Sequence, residues 1–247
     1  MACEYPKAMT DPAAAPEKPR QPRPGPAGAI GDAVERVDPF FLPQVFVAGA
    51  IALDLFLPEK LTLGPSWLLP SVEGALLVAF TIAAPRPRLR TSELRRKVAI
   101  ALIALVSAAN IFSLVELCRF LLHGGQHATG RSLIFAGVQL WLTNVILFSL
   151  WYWELDQGGP LKRAARDRTD QPPDFMFPQD VEPRMRTPGW KPGLVDYLYV
   201  SFTNAAAFSP TDTMPLSQSA KLLMTAQALT SLLIVILVVS RAVNILA

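Results

Sequence analysis

Few residues of this chain are of a kind that does chemistry, and their spacing limits what that chemistry is. The two histidines, His123 and His127, stand four apart in HGGQH. An i, i+4 pair can hold zinc on a helix, but Gly124 and Gly125 favour a loop. No metal ligand set is therefore assigned. Cys3 and Cys118 are too few for a disulfide framework, and Cys118 lies in an apolar block. Both read as free thiols rather than ligands or nucleophiles. No GxSxG, HExxH, P-loop or paired CxxC is present, so none of the short catalytic signatures applies. Acid–base catalysis needs groups that converge, and none converge at this level. The expectation is a protein that is not an enzyme and needs no cofactor.

A second set of polar residues sits inside long apolar runs: Asp54, Glu73, Asn110, Glu116, Gln139, Asp196, Gln227 and Asn244. In lipid such side chains are functional candidates by default. The competing reading puts the acids near helix ends, where they cost little. The chain has 247 residues, 51% hydrophobic and 17% charged, which a soluble protein could also have. Distribution decides. Apolar blocks alternate with charged or proline-rich segments, the membrane pattern. The lipid bilayer is thus the expected partner and a cell membrane the expected location. The net charge of +3 flanks the apolar blocks and forms no nucleic-acid module, so no nucleic acid is expected.

The elements that must position these residues follow in order. Residues 1–39 hold eight prolines and no apolar h-region, and read as a disordered cytoplasmic tail rather than a signal peptide. Residues 40–155 form a four-helix transmembrane region. Helix one runs from Phe40 to about Leu57, and helix two from Trp67 to about Ala84. Helix three, Val98 to Leu122, carries Ser107, Asn110, Ser113 and Glu116 at steps of three. Such steps drift around a helix by about 60° each and trace a spiral polar track. Glu116 and Arg119 are spaced to pair. Helix four, Ser132 to Trp153, ends in Trp151, Tyr152 and Trp153, which read as an interfacial aromatic belt. Residues 156–193 are a polar, proline-rich connector whose prolines argue against a folded domain. Residues 194–247 hold a short helix, a turn and the last helix, Ser217 to about Leu246, on which Gln227, Thr230 and Ser231 share one face. The expected fold is an all-α integral membrane protein with about five transmembrane helices plus a short or re-entrant helix before the last.

Charge orients this layout. The tail carries five Lys and Arg, the segment 86–97 six and the connector seven. The alternate segments carry one, Lys60, and two, Arg119 and Arg131. The positive-inside rule puts the amino terminus and the connector in the cytoplasm if all four helices span.

Leu194 to Leu216 is the exceptional stretch. It is apolar enough for a membrane, yet it holds Asp196, Asn204 and Asp212 and breaks at Pro210. Its polar candidates are Thr203, Asn204, Ser209, Thr211, Asp212 and Thr213. Read with its flanks, FTNAAAFSPTDTMPLS resembles the pore helix, filter and following turn of potassium-channel pore domains. Asp212-Thr213-Met214-Pro215 stands where those channels have Gly-Asp-x-x-Pro, and YLYVSFTN corresponds to the aromatic-rich helix before the filter. The resemblance covers Asp196 to Asn244, about one fifth of the chain. The layout is also similar to uncharacterised bacterial multi-pass membrane proteins with a DYLYxSFT-type stretch and an AVN-ending last helix. The resemblance implies a symmetric homo-oligomer, a tetramer.

The filter itself does not carry over. Where those channels read TVGYG, this chain reads Ala207-Phe208-Ser209-Pro210-Thr211. It lacks the glycines that let consecutive carbonyls face an ion, and Pro210 fixes its own φ near −65°. A channel-like protein without potassium selectivity is the first of the functional expectations. Its rival for the same stretch is a helix–turn–helix at the membrane surface, with Ser209 or Thr211 capping the last helix and Pro215 in its first turn. A small-molecule transporter and a non-conducting structural or accessory membrane protein stay open beside it.

Overall fold

A computed structural model describes residues 41–55, 71, 74, 75, 78, 93–122, 130–165, 172–182, 184, 190–206 and 212–246. Over these the chain is mostly helical. In order come α1 (Phe41–Asp54), α2 (Glu93–Leu122), α3 (Gly130–Leu155), a 3-10 turn (Asp156–Gly158) and α4 (Pro160–Ala165). Then follow β1 (Phe175–Met176), α5 (Pro178–Val181), α6 (Leu194–Ala206), β2 (Met214–Pro215) and α7 (Gln218–Leu246).

Three helices are long and apolar enough to cross a membrane, over Arg96–Leu121, Leu133–Gly158 and Gln218–Ser240. Even the shortest apolar run, 23 residues, rises about 34 Å, beyond a hydrocarbon core of about 30 Å. These helices are compatible with a membrane location. The first expected span is shorter than its sequence suggests: α1 has 14 residues and rises only about 21 Å. The second expected helix lies largely outside the described residues, with Ser71, Gly74, Ala75 and Val78 helical. Among the described residues three helices, not five, reach spanning length.

The long helix α3 is the hub, packing against α1, α2, α6 and α7. One apolar cluster joins Val47 and Ala50 of α1, Leu102 and Val106 of α2, Leu150 of α3 and Val200 of α6. A second joins Leu114 and Leu117 of α2, Leu133 and Leu140 of α3 and Ile234 of α7. At Gly137 a Cβ would collide with Val238 Cγ2, so this glycine sets how closely α3 and α7 approach.

The expected aromatic belt is corrected by this packing. Tyr152 and Trp153 are 0% and 2% exposed, and Trp151 is half-buried with its Nε1 donating to Ser107 Oγ at 3.0 Å. Successive helical residues point about 100° apart, and α3 is enclosed by neighbours on several sides. All three rings therefore meet protein.

The connector is more ordered than its prolines suggest. Phe175 and Phe177 are buried in the main cluster, and β1 pairs antiparallel with β2 through Phe175↔Pro215 and Met176↔Met214. Phe175 and Phe177 also stack edge-on against Tyr197 near the start of α6. The helix α6 thus begins against the 175–177 segment, and β2, which follows it in the chain, pairs with the same segment. With 13 residues it rises about 20 Å, too little to cross.

The last helix starts where sequence puts it but with a different cap. Ala220 N–H donates to Ser217 Oγ at 3.1 Å, so Ser217 is the N-cap. Pro215 lies in β2, ahead of the helix rather than in its first turn. The α7 span is only 17% buried, against 56% for α3, and Leu222, Leu229, Leu232, Leu233, Ile236 and Val239 face outward.

Candidate functional site

The site is built around α6. Its first turn is closed by Asp196, whose Oδ2 accepts Gly193 N–H at 2.8 Å, a carboxylate at the positive end of the helix. Burial pushes the Asp196 carboxyl up, and the Gly193 bond opposes this. Leu194, Tyr197, Val200, Ser201 and Ala205 are buried, the three-and-four spacing of a helix face turned into protein. Tyr199 and Phe202 stay exposed, and Phe202 meets Trp141 of α3 edge-on at 5.6 Å.

Two polar constellations hold this face. The first is a latch at the end of α3. Tyr197 OH donates to Asp156 Oδ2 at 2.5 Å, and Asp174 N–H donates to Asp156 Oδ1 at 2.8 Å. Arg163 Nη1 donates to the carbonyls of Trp153 at 2.7 Å and Asp156 at 2.6 Å. Its guanidinium also lies 5.7 Å from the Trp153 ring centroid and 5.3 Å from that of Tyr197, within cation–π reach. Burial pushes the Tyr197 phenol well up, so it stays a donor. The latch ties α3, α4, the connector and α6 together.

The second is a seam of neutral polar groups between α3, α6 and α7. Ser201 Oγ donates to Val145 carbonyl at 2.7 Å. Gln227 Nε2 donates to Ser201 carbonyl at 3.0 Å and to Ser201 Oγ at 2.7 Å. Gln227 Oε1 accepts from Tyr152 OH and, at 2.8 Å, from Asn204 Nδ2. Asn204 Nδ2 also donates to Met224 carbonyl at 2.9 Å. One turn along α7, Ser231 Oγ accepts Asn144 Nδ2 at 2.9 Å. A glutamine amide has two N–H donors and two acceptor lone pairs, and Gln227, 0% exposed, engages all four. The seam recognises helix against helix.

Of the pore-loop candidates, the structure brings Asn204 into this seam. Thr203 Oγ1 bonds back to Tyr199 carbonyl at 2.7 Å, Asp212 is exposed and Thr213 is buried. Ser209 and Thr211 lie outside the described residues. Of the intramembrane candidates, Gln227 joins the seam and Asp196 closes the start of α6. Glu116 pairs with Arg119 at 3.1 Å, as their spacing predicts. Asn110 and Gln139 have Oδ1 and Nε2 buried without partners. Asp54 ends α1 and Asn244 lies in the last turn of α7, while Glu73, His123 and His127 fall outside the described residues.

Sequence reasoning missed Ser201, Tyr152, Asn144, Asp156, Arg163 and Tyr197. Gln227 and Ser231 sit four apart on an apolar helix, which marks a polar stripe but not its partners. An ion pair also escaped notice: Arg96 Nε meets Glu154 Oε1 at 2.5 Å, the carboxylate almost fully buried. No protein-family model, characterised protein or solved structure matches this chain.

Proposed function

We propose that this is a multi-pass membrane protein of the pore-loop, ion-channel-like type, in which α6 enters the membrane from the connector side and returns to it. One observation carries the proposal. The short helix is lodged between the spanning-length helices α3 and α7, and both its start and β2 after it stand against residues 175–177. Irregular backbone at membrane depth is tolerated where protein encloses it or water lines it. Such a loop is expected around 207–211, followed by the exposed Asp212 carboxylate. In a homo-oligomer, a tetramer if the resemblance holds, a ring of Asp212 would attract cations. Potassium selectivity is not proposed, because 207–211 has no glycine.

Planar-bilayer recording of the purified protein tests this. Cation current above a protein-free control, lowered severalfold by Asp212→Asn, is expected. Absence of current at every voltage would sink the channel reading. The second reading, a non-conducting accessory subunit, draws on the fully engaged Gln227 amide, which joins helix to helix and leaves no group of its own for a ligand. A small-molecule transporter draws instead on the unpartnered Asn110 Oδ1 and Gln139 Nε2. Thermal shift with a ligand panel separates those two.

A further inference from the structure

Beside the seam a groove of about 400 Å³ runs along the outer side of α7. Its lining changes character along the helix. Asn204, Lys221 and Thr225 supply polar groups at one end, with Met224 among them, and Ala228, Leu229 and Leu232 continue the apolar surface toward the other. Asn204 Nδ2 is engaged by Met224 and Gln227, and Thr225 Oγ1 donates to Lys221 carbonyl at 2.8 Å. Lys221 is exposed and forms no ion pair among the described residues. Its ammonium is the group left for a partner.

Depth and length define that partner. Lys221 stands three residues inside the span Gln218–Ser240, where a lysine stem lies on apolar surface and its head reaches the headgroups. From Lys221 to Leu232 the helix rises about 16 Å, close to half of a hydrocarbon core about 30 Å thick. A cation at headgroup depth above an apolar track one leaflet long fits a single phospholipid of negative charge. β2 joins α7 on the connector side, the side that charge places in the cytoplasm, where the leaflet carries anionic lipid.

We propose that this groove binds one anionic phospholipid, with its phosphate on Lys221 and an acyl chain along Met224, Leu229 and Leu232. The proposal rests on the membrane part of the functional reading and not on conduction. The full chain is reconstituted in phosphatidylcholine vesicles with or without phosphatidylglycerol. After extraction in mild detergent, native mass spectrometry counts retained lipid. The wild type is expected to keep one phosphatidylglycerol in preference to phosphatidylcholine. Lys221→Gln should keep about fivefold less, the factor for about 1 kcal/mol per lysine at a headgroup. Ala228→Trp, which fills the groove while leaving Lys221, should lose it too, and Lys162→Gln, an exposed lysine on α4, should not. Equal retention by wild type and both groove variants, or no preference for the anionic lipid, would overturn the proposal. Vesicle flotation after an alkaline wash is read in parallel. Protein that leaves the vesicles overturns the membrane reading itself, whereas protein that stays but shows no lipid preference overturns the lipid site alone.

Discussion

Gln227 engages both amide hydrogens and both lone pairs of its oxygen, so every neighbour depends on it. Replacing it with leucine keeps the volume but leaves Asn204 Nδ2 and the Tyr152 hydroxyl with fewer partners in an apolar setting. A buried polar group left unsatisfied costs about 1–3 kcal/mol. Interhelical bonds in membranes average only about 0.6 kcal/mol because the unfolded state also finds partners. Gln227→Leu is therefore expected to destabilise by about 2–3 kcal/mol in a denaturing-detergent titration, and Tyr152→Phe by about 0.5–1 kcal/mol. The double variant should lose clearly less than the sum, because the two share one hydrogen bond. Strict additivity would mean that the seam is not a connected network. The seam was half legible: polar residues four apart on an otherwise apolar α7 announce a stripe. Their partners were not. Tyr152 sits between two tryptophans, and nothing in WYW tells a buried hydroxyl donor from an interfacial anchor.

Among the elements, the turn after α3 shows why local sequence underdetermines packing. Gln157, Gly158 and Gly159 all adopt positive φ, at 54°, 74° and 99°, the left-handed region that glycine enters freely. Gln157 lacks that freedom, and its N–H is held by Asp174 Oδ2 at 2.9 Å. A Cβ on Gly159 would lie 2.9 Å from Arg96 Nε and 3.0 Å from Glu154 Oε1. The glycine thus caps the 3-10 turn after α3 and leaves room for the ion pair that joins α2 to α3. Gly159→Ala is expected to cost about 2 kcal/mol or more, combining backbone strain with displacement of a buried pair. Stability matching Gly158→Ala, whose Cβ would meet only the flexible Lys162 stem, would refute the coupling. The long apolar blocks that became α2, α3 and α7 were plain in the sequence, because an uninterrupted run of spanning length has few other fates. The ordering of the connector was hidden, since it rests on Phe175 and Phe177, two rings in a segment otherwise rich in proline and charge. Their burial depends on α6, far along the chain, and no local pattern reports it.

At the scale of the whole molecule, re-entry and crossing by α6 differ in one global consequence. If α7, the last spanning-length helix among the described residues, crosses the membrane, its far end lies opposite whichever side β2 occupies. The pairing of β2 with β1 keeps β2 beside the connector, and the 13-residue α6 is too short to carry the chain across. The carboxyl terminus and the connector are then expected on opposite sides of the membrane. If 194–209 crossed fully, they would share a side. If the positive-inside rule holds for the connector, with its seven Lys and Arg, the terminus is expected on the side away from the cytoplasm. Alkaline phosphatase fused after Ala247 is expected to be active, and a green fluorescent protein fused there dark. A cysteine at Lys162, in a variant lacking Cys3 and Cys118, supplies the reference. It should resist an impermeant thiol reagent in intact cells and react in inverted vesicles. Phosphatase activity together with a protected Lys162→Cys supports re-entry. An inactive phosphatase with the same protected cysteine would mean that the stretch crosses, and the pore-loop architecture would fall with it, whatever currents the protein carries.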